Sequence, residues 1–134
     1  FAKSCRMFWD SMLDAKNQIL IAAPTLAEVL RGNPKTKIPS TRSIRVIPFD
    51  RKAAELLGHK LPVTLTKTAA KESGFSHTYF KYDAMIVACA KRWGAEVIIA
   101  LDSDHASLAG HVGLAVKAPA FFEDAQTTLE LLGE

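Results

Sequence analysis

Three aspartates in one short stretch carry the chemistry-bearing pattern of this chain. In Lys81 to His105, KYDAMIVACAKRWGAEVIIALDSDH, Asp83 is expected to open a helix, and Asp102 and Asp104 follow an apolar run that reads as a buried strand. Carboxylates grouped where a buried strand ends are the ligands a hard divalent cation needs, since Mg²⁺ and Mn²⁺ take oxygen donors and keep several waters. Metal-assisted hydrolysis is therefore the first chemistry to consider, with Asp83, Asp102 and Asp104 as metal-binding candidates. A capping or macrodipole role explains each acid taken singly.

The elements that must position these acids are legible in the apolar pattern. Tyr82, Met85, Ile86, Cys89 and Trp93 recur at helical spacing on one face, and Gly94 ends that helix. Val97 to Leu101 is continuously apolar, as in a strand covered on both faces of a parallel sheet. Asp102 to Asp104 then cap a short helix from His105 to Gly110. Ligands of open α/β sheets bind outside the carboxyl ends of the strands, where Asp102 falls.

Upstream, residues 2–16 read as a helix, Gln18 to Ala22 as a buried strand, and PTLAEVLRG from Pro24 as a helix with proline in its first turn and glycine just past its end. Glu28 lies on that helix outside the apolar stripe of Leu26, Val29 and Leu30, so packing does not require it. Ser43 to Phe49 reads as a second strand, Asp50 as the N-cap of the helix bearing Ala53, Ala54, Leu56 and Leu57, and residues 62–73 as a further helix. A last strand is expected at Leu114 to Val116 and a last helix from Pro119 to Leu132. Strands separated by helices predict an α/β domain with a parallel sheet and right-handed crossovers.

At 134 residues, 49% of them hydrophobic, the chain suits a single domain, residues 1–134. No apolar run reaches the roughly 20 residues needed to cross a bilayer, so no membrane role is expected and a cytoplasmic location is. Cys5 and Cys89, both on apolar helix faces, read as reduced core residues. The net charge is +3, but Arg31 to Lys60 carries eight basic and two acidic residues, whereas Pro119 to Glu134 carries four acids and no base. A basic segment beside an acidic site suits a polyanion such as RNA.

The segments Pro24 to Leu30, Val46 to Asp50 with Ala53-Ala54, Tyr82 to Ile86 and Leu101 to His105 resemble, in order and spacing, the successive motifs of PIN-domain proteins, and among these the VapC-type toxins of toxin-antitoxin pairs. The resemblance spans nearly the whole chain. It implies a PIN-like, Rossmann-like three-layer sandwich with a central parallel sheet flanked by helices, and a Mg²⁺- or Mn²⁺-dependent endoribonuclease acting on RNA. On this resemblance Glu28, Asp83 and Asp102 belong to the acidic quartet that holds the metal, with Asp104 an auxiliary acid. Thr25 and Ser103 would hold nearby waters and Lys81 a substrate phosphate, while His105 stands at a packing position. An antitoxin partner and a homodimer are also implied. The family's first strand, with its Asp-x-Asn motif, has no counterpart here. Asp10 and Asp14 do not match it, so the missing aspartate and strand are expected upstream of Phe1, and without them activity should be lost. The competing expectations are a PIN-like RNA-binding or assembly module without catalysis, a domain for a phosphorylated metabolite, and a structural partner protein; no glycine-rich phosphate loop supports the second of these.

Overall fold

The computed structural model describes residues 10–12, 17–38, 41–74, 77–100 and 104–118. Within them the order is β1 (Ile19–Ala22), α1 (Ala23–Gly32), β2 (Ile44–Ile47), α2 (Arg51–Lys60), α3 (Val63–Ser73), α4 (His77–Arg92), β3 (Val97–Ile99), α5 (Asp104–Gly110) and β4 (Ala115–Lys117). The alternation expected of an α/β chain is present. The described strands form two small parallel sheets, β1 with β2 and β3 with β4. Ile19 stands opposite Ile44 in the first and Val97 opposite Ala115 in the second. Of the expected first helix, residues 10–12 are described and helical; the expected helix from Pro119 lies outside the described residues.

Local chemistry accounts for the boundaries. Helix α1 starts one residue before Pro24, whose fixed φ and missing N–H cost nothing in a first turn. Asp50 caps α2 as expected, its Oδ1 accepting the Ala53 N–H at 2.9 Å. Helix α4 stops at Gly94, which takes φ +77°, a conformation cheap only for glycine. The Gly94 N–H donates to the Lys91 carbonyl at 3.2 Å and the Ala95 N–H to that of Ala90 at 2.9 Å, the two bonds of a Schellman stop.

Helix α4 is the hub. It packs against α2, α3, α5, α1 and β1. Phe80, Ala84, Val87 and Ala88 join Leu61, Ile98, Leu108, Ala109, Val112 and Leu114 in the larger core, which belongs to the β3–β4 side. Cys89 joins Ala22, Ile47 and Ala53 in a smaller core on the β1–β2 side, with Ile86 and Trp93 packed against it. One helix thus buries two faces.

Two expectations for this helix are corrected. Asp83 does not open it, because α4 begins at His77 and no acid occupies its first turn. Tyr82 does not belong to a buried stripe, being 48% exposed. The second buried face is built partly from Ala84 and Ala88, small residues that an apolar periodicity weighs lightly, and that face extends the helix upstream through Phe80.

Candidate metal and nucleic-acid site

Of the two expected acids whose burial is described, Glu28 and Asp83, Asp83 is the buried one. It is 8% exposed. On its helix it stands three residues after Phe80 and four before Val87, both buried, and therefore on the same face as core residues. Removing a carboxylate from water is costly, so this position is not a solvated surface acid. Its distance from the helix start also removes the macrodipole explanation, which acts within the first turn. Lys81, two residues earlier, is exposed. The second turn of α4 therefore runs from a solvent-facing cation to a buried anion.

Helix α1 packs against α4 and carries Thr25, partly buried, and Glu28, exposed. The fold thus brings the helix of Glu28 onto the helix of Asp83. Asp102 and Ser103 lie outside the described residues. Asp104 opens α5, and its side chain and that of His105 likewise lie outside them. Among the described residues no group of three or more His, Cys, Asp or Glu side chains gathers to hold a metal. Two of the three expected quartet acids are in view, on helices in contact.

A second station escaped the sequence reading. Arg92, the last residue of α4, donates from Nε to both carboxylate oxygens of Asp50, at 3.3 and 3.2 Å, and from Nη2 to Oδ2 at 3.0 Å. The Ala53 N–H, and after it this guanidinium, hold the Asp50 carboxyl below its ordinary range against the opposing effect of partial burial. Trp93 donates its indole N–H to the Pro48 carbonyl at 2.9 Å. Two guanidiniums lie against the Trp93 ring, Arg92 at 4.2 Å and Arg45 at 4.8 Å from its centroid. Asp50 had been legible as a cap and Trp93 as an apolar helix residue; nothing in their spacing showed that Arg92 would join them. Burial, and secondarily the Asp50 charge, push the Cys89 thiol up to about 11, which marks it as a core residue and not a nucleophile.

Comparison of the chain with models of known families, with curated proteins and with solved structures returned no match. Among the described residues no helix is long and apolar enough to cross a membrane.

Proposed function

We propose that this chain is a PIN-like, metal-dependent endoribonuclease that hydrolyses RNA phosphodiester bonds, as the toxin of a toxin-antitoxin pair. The observation that carries the reading is Asp83, a carboxylate buried in the body of α4 where packing alone would favour an apolar side chain. It is supported by the contact of α4 with α1, the helix of Glu28, and by the order of motifs along the chain.

Glu28, Asp83 and Asp102 are the residues that would hold Mg²⁺ or Mn²⁺, with Asp104 beside them, and oxygen donors of this kind suit either ion. When bound, such an ion lowers the pKa of a coordinated water and offsets negative charge on the phosphate. The chain's own residues then orient and bind. Asp83 would bind from its buried position on α4 and Glu28 from the solvent side, while Lys81 would offer a cation to a phosphate and Thr25 and Ser103 would fix waters.

In the same reading the two strand pairs belong to one central sheet of a three-layer sandwich. Among the described residues β1 is bonded on one side only, to β2, and β3 on one side only, to β4. A parallel strand between β1 and β3 would unite them and could bring a further carboxylate to the site.

Replacing Asp102 with Asn tests the reading. The variant is expected to stay folded and to lose Mn²⁺-dependent cleavage of RNA, with cleavage at the parental rate excluding Asp102 from the site. Retained RNA affinity in a protein that never cleaves would favour a binding module.

A further inference from the structure

Five exposed cations, none with a carboxylate partner among the described residues, lie in the stretch that runs from the end of α1 into β2. From Arg31 to Arg45 the chain carries Arg31, Lys35, Lys37, Arg42 and Arg45 and no acid. All five are exposed. None is ion-paired among the described residues, where the salt bridges are Arg51 with Glu55 and Arg92 with Asp50.

The fold places Arg31, Arg42 and Arg45 around the β1–β2 pair, with Lys35 and Lys37 in the connection between α1 and β2. Arg31 lies in the last turn of α1, which runs back from the carboxyl end of β1. The Asn33 side chain accepts the Lys35 N–H at 3.1 Å and its carbonyl accepts the Thr36 N–H at 3.0 Å, turning the chain at that end. Arg42 precedes β2, and its carbonyl accepts from Gln18 Nε2 at 3.3 Å beside the start of β1. Arg45, the second residue of β2, lies against the Trp93 ring. The ring restrains the guanidinium of an arginine that is otherwise exposed, a form suited to meeting a phosphate.

We infer that Arg31, Lys35, Lys37, Arg42 and Trp93-stacked Arg45 form a track that binds the phosphodiester backbone of single-stranded RNA, starting one helical turn beyond Glu28. The choice of RNA as the polyanion rests on the function proposed above; the track itself rests on charge and placement. Its role is affinity and register, and it reads no sequence.

The test is the salt dependence of binding, measured by fluorescence anisotropy with a labelled single-stranded oligoribonucleotide in EDTA, so that cleavage does not intervene. If four or five phosphates are neutralised, log K should fall against log salt with a slope of about −3, at about −0.7 per contact. Arg42→Gln/Arg45→Gln, at two exposed positions, should make the slope shallower by about 1.4. The control Lys67→Gln/Lys71→Gln, which removes two exposed lysines from α3, should leave it unchanged. An unchanged slope in the first variant, an equal loss in the control, or binding to phosphatidylserine vesicles but not to RNA would each overturn the track. Track-dependent binding by a protein that never cleaves RNA with Mn²⁺ would uphold it and defeat the nuclease reading. Cleavage with an unaltered slope would do the reverse.

Discussion

Side chain by side chain, the acids separate by burial. Glu28 is exposed and Asp83 is buried, so their substitutions should act differently. Glu28→Gln should leave stability within about 0.5 kcal/mol of the parent, as surface changes do, while abolishing metal-dependent cleavage; calorimetry beside a nuclease assay checks both. Cys89, with its thiol pushed up to about 11, should resist alkylation at neutral pH in the folded protein and react once the protein is unfolded, as read from the mass of the Cys89 peptide. The types and order of the acids were legible in the sequence, but the burial of Asp83 was not, because it depends on Phe80 and Val87 sharing its face in a helix that begins earlier than the apolar stripe indicated.

Elements are tied together by the station at the end of α4. Asp50 both caps α2 and receives Arg92, so one carboxylate connects two helices and the turn after β2. Its folded-state pKa is lowered, and its contribution is therefore present above about pH 4, near the unfolded value, and is lost as pH falls through the folded value. Thermal melts of the parent and of Asp50→Asn should converge as pH drops below that range; a difference that stayed constant down to the lowest pH would contradict this. Trp93→Phe removes the indole hydrogen bond to Pro48 and weakens the ring beneath Arg45 and Arg92, and should cost about 1 kcal/mol in denaturant unfolding. The Asp50 cap was legible because capping is local, three residues from acceptor to donor. The partnership of Asp50 with Arg92 spans 42 residues, and no local pattern encodes it.

Across the described residues, two parallel strand pairs lean on one helix, so the α/β class and the parallel pairing were legible in the sequence. Strand signals identify which residues extend, but the two cores that α4 serves join residues far apart in the sequence, and no local pattern encodes them. Leu108, 1% exposed in the larger core, should cost about 2–5 kcal/mol when cut back to alanine, and because α4 serves both cores, unfolding should remain a single transition. The central claim is that buried Asp83 belongs to a metal-dependent ribonuclease site. Its most direct test is cleavage of a fluorescent RNA by the purified full-length natural protein and by its Asp83→Asn variant, with and without Mn²⁺, circular dichroism verifying the fold of each. The account predicts Mn²⁺-dependent cleavage by the parent and a loss of about a hundredfold or more in the folded variant. Equal cleavage by both proteins, or no cleavage by the parent under any metal condition, would contradict it.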